Sequence, residues 1–255
     1  MELKRAIATG ALVGILLATF LVSPMFSGTV EAAQYSPPWA DRFTTTYPPP
    51  DATTYNANWL EWMGAAGYSR SSWVNPIAAF ATNSKMPSDA VFSFFGHGNK
   101  GYAFFWNAVY GSTCIRADNG MDWPRNWLGQ VTVNTTWSSS LNETPDLWDL
   151  RLMMLEGCYT ACRKNSSYDY TSLTEQAVTY QGVDCAVGFT TTISAPKANT
   201  WDYYFWREAT EGNNVEYCCS AACAFVYCQY GTYGGTNNYD IAGDWLVIVP
   251  AAYGT

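Results

Sequence analysis

The chain contains one histidine, His97, which stands between two glycines at the end of an apolar run. Cys158 has a similar setting, because the apolar run that precedes it ends in Glu156 and Gly157. A cysteine thiolate is a nucleophile, and an imidazole can activate it and protonate a leaving amine. The glycines let a substrate approach the backbone closely, and the amides of Gly98 and Cys158 could hold a developing oxyanion. These residues predict acyl-transfer chemistry at Cys158.

Two predicted strands must bring the histidine and the cysteine together. Residues 91–95 read Val-Phe-Ser-Phe-Phe, and residues 147–155 form a second apolar run that leads to the cysteine. Runs of this length and composition, ended by glycine, are typical of buried strands. If the two strands are parallel neighbours, both side chains emerge at the carboxyl edge of the sheet, where open α/β sheets build their sites.

The rest of the chain alternates predicted helices with predicted strands. Helices are predicted over residues 58–66, 75–84, 172–181, 196–212 and 215–226, and further strands over 102–107, 110–115, 184–193 and 244–249. Ser172 and Glu175 form a capping box, and the last helix carries an apolar stripe at helical spacing. This order of elements predicts an α/β fold with a mostly parallel central sheet and helices on both faces.

The first residues have the pattern of a secretory signal peptide. Lys4 and Arg5 precede an apolar run over 6–22, and small residues near position 32 allow cleavage, although an uncleaved membrane anchor is the alternative. We therefore predict a signal peptide over 1–32, a proline-rich lead-in or pro-segment over 33–55 and one domain over 56–255. The protein is expected to be secreted or held in the cell envelope, with no membrane span after cleavage.

Charge and cysteine content limit the function further. The net charge of −8 argues against nucleic acid, whose binding needs clustered lysines and arginines. Eight cysteines in an exported protein predict disulfides by default, and Cys162 could capture Cys158 in one. No spacing in the sequence matches a zinc site, and we predict no metal and no cofactor.

The two strand ends resemble those of the caspase-like cysteine peptidases, which include caspases, legumains, gingipains, clostripains and separases. The matching residues are Phe-Phe-Gly-His-Gly at 94–98 and Met-Leu-Glu-Gly-Cys at 154–158, within a resemblance that spans residues 56–250. The sequence departs from the pattern at Phe95-Gly96, where Ser or Asp often precedes the histidine. It departs again at 159–162, where Tyr-Thr-Ala-Cys replaces the common Ser-Gly.

The resemblance implies a caspase-like three-layer sandwich that acts on a peptide or protein substrate. It also implies a role for four residues: Cys158 as nucleophile, His97 as acid/base partner, Gly98 as oxyanion donor and Glu156 in the substrate pocket. The sequence thus predicts a secreted cysteine endopeptidase, or a related transpeptidase, with an acyl-thioester intermediate. The alternative is a non-catalytic, disulfide-containing secreted binding module on the same fold, and a weaker alternative is a structural envelope protein.

Overall fold

The computed structural model describes residues 38–45, 52–117, 139–141, 144, 146–162 and 172–248, all within the compact unit Pro37–Thr255. In chain order the strands are β1 (Trp39–Thr44), β2 (Ser69–Val74), β3 (Asp89–Phe95), β4 (His97–Asn99), β5 (Tyr102–Asn107), β6 (Gly111–Arg116), β7 (Ser139–Ser140), β8 (Leu152–Glu156), β9 (Cys185–Phe189) and β10 (Tyr239–Gly243). Six of them form the central sheet, in the order β10-β9-β8-β3-β1-β2. Only β10 runs antiparallel to its neighbour in this sheet.

Four longer helices and a run of short helical turns accompany the sheet. The helices are α1 (Ala52–Ala65), α2 (Leu173–Gln181), α3 (Ala195–Thr210) and α4 (Val215–Tyr230), and the short turns cover Ala78–Phe80, Ala81–Lys85 and Met86–Ser88. The predicted capping box of Ser172 and Glu175 begins α2, and Gly182 ends it in the left-handed conformation with φ 84°. Among the described residues, no helix is long and apolar enough to cross a membrane.

The two faces of the central sheet are covered by different elements. Helices α1, α3 and α4 pack on one face, where Trp59, Trp201 and Trp206 are fully buried. The other face carries α2, the short helical turns and a second sheet of order β4-β5-β6-β7, and Phe43 and Phe92 stack in the core between these layers. The predicted α/β fold with a mostly parallel sheet and helices on both faces is therefore confirmed.

Strand β1 corrects the predicted start of the domain. Residues 39–44 were expected in a lead-in, but they form a strand between β2 and β3 near the middle of the sheet. The cause lies in Asp41 and Arg42, which give the segment a polar sequence although both side chains are buried. Each is stabilised by partners that lie far away in the chain, which no local pattern can reveal. The predicted signal peptide lies outside the described residues.

Asp41 belongs to a buried charged cluster on the face that carries the short helical turns. Its carboxylate accepts a hydrogen bond from Trp73 Nε1 at 3.1 Å and a second from the Ser71 hydroxyl. The Nζ of Lys85 lies 3.5 Å from Asp41 Oδ2, and it also stands 5.0 Å from the centre of the Trp73 ring. Asp89, at the start of β3, is fully buried beside this cluster, and neither of its oxygens has a hydrogen-bond partner among the described residues.

Asp89 predicts a distinct dependence of stability on pH. Burial, together with the nearby charge of Asp41, raises the pKa of Asp89 from 3.8 to about 9, although Lys85 opposes the rise. Between these two values the folded chain keeps a proton that the unfolded chain loses, so stability should fall as the pH rises. Between pH 5 and pH 8 we expect Asp89→Asn to lose roughly 2–4 kcal/mol less of its free energy of unfolding than the wild-type protein loses.

The measurement is urea unfolding at several pH values within that window. The matched control is Asp240→Asn, which changes an exposed carboxylate on the edge strand β10 and should leave the pH dependence as it is. If the wild-type protein and Asp89→Asn lose stability in parallel from pH 5 to pH 8, the conclusion that Asp89 is protonated in the folded protein is wrong.

Candidate active site

The ends of β3 and β8 bring the predicted histidine and cysteine to the same edge of the sheet. The two strands are adjacent and parallel, with Phe95 paired to Glu156. The pairing continues for one more residue, because the Gly96 amide donates to the Glu156 carbonyl at 3.0 Å. His97 follows immediately and begins β4, while Cys158 is the second residue of a tight turn over residues 157–162, which we call the cysteine turn. The predicted parallel arrangement is present.

A cleft opens between these two strand ends. It encloses about 100 Å³, and both His97 and Cys158 line it. Its walls are mainly apolar, and its other lining residues are Thr45, Phe95, Gly96, Glu156, Ile193, Ala195 and Ala198. A mainly apolar cleft with a few polar groups is the usual form of a small-molecule or peptide side-chain site.

Gly98 lies directly against the backbone of the cysteine turn. A Cβ atom at Gly98 would stand 2.5 Å from the carbonyl oxygen of Cys158, a separation that no side chain tolerates. A Cβ at Gly157 would in turn stand 3.0 Å from the Gly98 nitrogen. The two glycines therefore allow the histidine strand and the cysteine turn to touch, as the sequence predicted for close backbone approach. The role of Gly98 as an oxyanion donor stays a prediction.

The thiol of Cys158 is held by the segment that follows β9. The Ile193 amide donates to Cys158 Sγ at 3.3 Å, and the thiol in turn lies 3.9 Å from the Ile193 carbonyl. The next residue, Tyr159, takes the left-handed conformation with φ 60°, which is costly for a side chain of this size. Its amide donates to the Thr191 carbonyl at 3.0 Å, which ties the cysteine turn to the same segment.

The expected disulfide framework is not formed. All eight cysteines lie among the described residues, and each is a free thiol, including Cys158 and Cys162. Burial raises the pKa of Cys185 and of Cys218 to about 12, so these thiols stay protonated and are poor nucleophiles. Cys158 differs from them because it is half-buried and faces the cleft.

Beneath the cleft lies a buried ionic network that the sequence analysis missed. Arg42 of β1 forms a bidentate pair with Asp202 of α3, with N···O distances of 2.9 and 2.7 Å. The guanidinium also donates to Asn56 Oδ1 at 2.9 Å and to Ser93 Oγ at 3.1 Å. The side chains of Arg42 and Asp202 are almost fully buried, and the pair joins two elements that are 160 residues apart.

Glu156 occupies the floor of the cleft, next to this network. Its carboxyl lies 4.0 Å from Arg42 Nη1 and close to Asp202 and Trp206, yet neither oxygen makes a hydrogen bond of normal geometry among the described residues. Burial, and then the negative charge of Asp202, raise the pKa of Glu156 well above its usual value, although Arg42 opposes the rise. The neutral carboxylic acid is therefore favoured when the cleft is empty.

The residues expected at the site thus come together. His97, Cys158 and Glu156 line one cleft, and Gly98 lies against the cysteine turn beside it. Within the described part of the chain, no group of three or more histidine, cysteine, aspartate or glutamate side chains could hold a metal ion. Sequence patterns gave no signal for Ile193 or Thr45, since each reaches the cleft only through the fold.

The fold and the strand-end site define a caspase-like α/β architecture. Among solved structures, the chain is similar to the Arg-specific cysteine proteinase gingipain R, with a TM-score of 0.59 and 8% sequence identity. It is also similar to a second protease structure, with a TM-score of 0.51 and 11% identity. No family model and no curated protein matches the sequence.

The likeness covers most of this chain but only part of its neighbours. It extends over 82% of this chain, but over 47% of gingipain R and 48% of the second protease. The chain thus spans about half the length of the solved structures that it resembles. At this level of identity the comparison establishes the fold, and activity has to be argued from the site itself.

Proposed function

We propose that the protein is a cysteine endopeptidase, or a related transpeptidase, with Cys158 as nucleophile and His97 as acid/base group. One observation carries the proposal: the chain's single histidine and a half-buried, free cysteine line one cleft at the carboxyl ends of adjacent parallel strands. A nucleophile and a base at one cleft are the parts that thiol acyl transfer requires. The fold similarity to two proteases is consistent with peptide or protein substrates.

The proposed reaction has two halves. The Cys158 thiolate attacks the scissile carbonyl carbon, and the amides of Gly98 and Cys158 hold the oxyanion that forms. His97 gives a proton to the leaving amine, which departs and leaves an acyl-thioester on Cys158. His97 then takes a proton from water, which attacks the thioester and releases the acid and the free thiol. In a transpeptidase an amine attacks in place of water.

Glu156 supports a preference for substrate side chains that donate hydrogen bonds. Its two oxygens and the Thr45 hydroxyl are buried polar atoms at the cleft that make no hydrogen bond of normal geometry among the described residues. Asp202 already neutralises Arg42, so the Glu156 carboxyl remains as an acceptor for a ligand. Because a cation beside it would favour its ionised form, we propose that arginine or lysine precedes the scissile bond.

A panel of fluorogenic peptides tests both parts of this proposal. The peptides differ only in the residue before the scissile bond, which is Arg, Lys, Gln, Leu or Asp. We expect hydrolysis of the Arg and Lys peptides, and we expect Glu156→Gln to lower their kcat/KM by about 10-fold or more, because the amide cannot ionise. The Gln peptide should change by less than about 3-fold.

The matched control is Glu216→Gln, which removes an exposed carboxylate from α4 and should leave every value unchanged. A wild-type protein that hydrolyses none of the peptides would contradict the peptidase proposal. Equal hydrolysis of all five would leave the peptidase standing but would show that Glu156 does not select the substrate.

We also propose that the protein acts outside the cytoplasm, either secreted or in the cell envelope. The support is the basic and apolar pattern of residues 1–32, which is typical of a signal peptide. N-terminal sequencing of the exported protein would locate the cleavage site and show whether residues 33–38 are kept.

A further inference from the structure

Hydrogen bonds join the cysteine turn to the last residue of β9 and to the segment that follows β9. The Tyr159 amide donates to the Thr191 carbonyl, and the Ala161 amide donates to the Phe189 carbonyl, both at 3.0 Å. The contact between the Ile193 amide and Cys158 Sγ lies on the same side. The position of the thiol therefore depends on how the cysteine turn sits against this segment.

Thr160 is the side chain at the centre of this arrangement. It is fully buried, and its hydroxyl stands 2.7 Å from the Leu155 carbonyl oxygen and 3.0 Å from that of Gly157. The hydroxyl also accepts a hydrogen bond from the Phe189 amide at 3.2 Å. A hydroxyl has one hydrogen, which Thr160 shares between these two carbonyls, and one of its two lone pairs takes the Phe189 amide. It joins the end of β8, the cysteine turn and the end of β9.

The methyl group of Thr160 reaches the histidine side of the site. A Cβ at Gly98 would stand 2.7 Å from Thr160 Cγ2, and one at Gly157 would stand 3.1 Å from it. The methyl group of Thr160 therefore lies against β4 at Gly98, while its hydroxyl forms hydrogen bonds that hold the cysteine turn.

We infer that Thr160 is a positioning residue of the proposed peptidase, and that its hydroxyl keeps the Cys158 thiol aligned with the Ile193 amide. The inference rests on the proposed function, but it concerns a residue that touches neither substrate nor the reacting atoms. Displacing a nucleophile by about 1 Å costs on the order of 100-fold in rate. A side chain that fixes the cysteine turn from beneath should therefore affect kcat more than KM.

The test compares two substitutions, each of which removes a different part of the Thr160 side chain. Thr160→Val keeps the shape and removes the hydroxyl, whereas Thr160→Ser keeps the hydroxyl and removes the methyl group. We expect Thr160→Val to lower kcat by about 10- to 100-fold with KM within about 2-fold of wild type. Thr160→Ser should stay within about 3-fold in both constants.

A second buried threonine provides the matched control. Thr113 of β6 is also fully buried and does not line the cleft, and its hydroxyl accepts a hydrogen bond from the Ala78 amide at 3.0 Å. Thr113→Val should lower thermal stability to a similar degree while kcat is kept. An equal loss of kcat in Thr160→Val and Thr113→Val would overturn the inference, since it would mark a general loss of stability.

Gly188→Ala offers an independent probe if Thr160→Val does not fold. A Cβ at Gly188 would stand 2.8 Å from Thr160 Oγ1 and 3.0 Å from the Ala161 nitrogen, so it would push both the hydroxyl and the cysteine turn without removing the hydroxyl. We expect the same signature, a lower kcat at unchanged KM, in a milder form. A folded Gly188→Ala variant with wild-type kcat would count against the inference.

The rate of Cys158 alkylation separates this inference from the proposed function. Iodoacetamide labelling at pH 7, followed by mass spectrometry of the Cys158 peptide, needs no peptide substrate. We expect Thr160→Val to label several-fold more slowly than wild type, Thr160→Ser and Thr113→Val. If the wild type hydrolyses no peptide, the proposed function fails while the labelling rates still judge Thr160, and equal rates in all four proteins would overturn its positioning role.

Discussion

Replacing Cys158 with alanine should lower peptide hydrolysis by about 10⁴-fold or more, because the chain then has no nucleophile at the cleft. The side chain is small and half-buried, and its thiol contacts the backbone of Ile193. The fold should therefore survive the change, with a melting temperature close to that of wild type. His97→Ala should cause a comparable loss, because no second histidine exists in the chain to replace it.

Two other cysteines serve as controls for this experiment. Cys162 stands four residues further on and is also half-buried, and Cys228 lies exposed on α4. Cys162→Ala and Cys228→Ala should both retain activity and sensitivity to iodoacetamide. Hydrolysis that persists in Cys158→Ala, or that disappears in Cys162→Ala instead, would show that the wrong thiol has been assigned.

The site could be predicted from the sequence because its strands are strongly patterned. The apolar run before His97 and the run before Cys158 have no charged residues inside the observed strands except at their ends, so their buried, parallel pairing was predictable. The stripe of α4 was equally clear: the buried residues Val215, Cys218, Cys219, Ala222, Cys223 and Val226 are those that helical spacing predicts.

Other elements were not predictable, for reasons that the structure makes plain. Strand β1 reads as a polar segment because Asp41 and Arg42 are buried by means of distant partners. The last strand was expected over 244–249, but β10 is Tyr239–Gly243, which lies on the sheet edge and has a largely half-exposed pattern. Edge strands carry little apolar alternation, so sequence periodicity places them poorly.

The residues that support the site were missed for the same reason. Thr160 and Phe189 meet across 29 residues, and Cys158 and Ile193 meet across 35. A threonine two residues after a cysteine and an isoleucine beside a run of threonines carry no local signal. Only the parallel pairing of β8 with β9 brings the two segments side by side.

Replacing Arg42 with alanine should destabilise the fold more than any other single change proposed for this protein. The guanidinium is buried, pairs with Asp202 and lies 4.0 Å from Glu156, so its loss leaves two buried carboxyl groups without a cation. We expect the free energy of unfolding to fall by about 3–5 kcal/mol, which urea unfolding at pH 7 would measure. The pKa of Glu156 should rise further, because the charge of Arg42 opposes its rise.

Two comparisons make this prediction specific to the buried network. Arg151→Ala breaks a pair with Asp184 in which the two side chains are 43% and 45% exposed, so it should cost only about 0–1 kcal/mol. In the double variant Arg42→Met with Asp202→Leu, no partner of the bidentate pair is left unpaired, and stability should recover part of the loss. Two results would show that the network does not hold α3 to β1. One is a loss of unfolding free energy in Arg42→Ala that is no larger than the loss in Arg151→Ala. The other is a double variant whose loss exceeds the sum of the losses in Arg42→Met and Asp202→Leu alone.

Because Ala195 and Ala198 at the start of α3 line the cleft, a loosened α3 should also lower kcat/KM in the folded fraction.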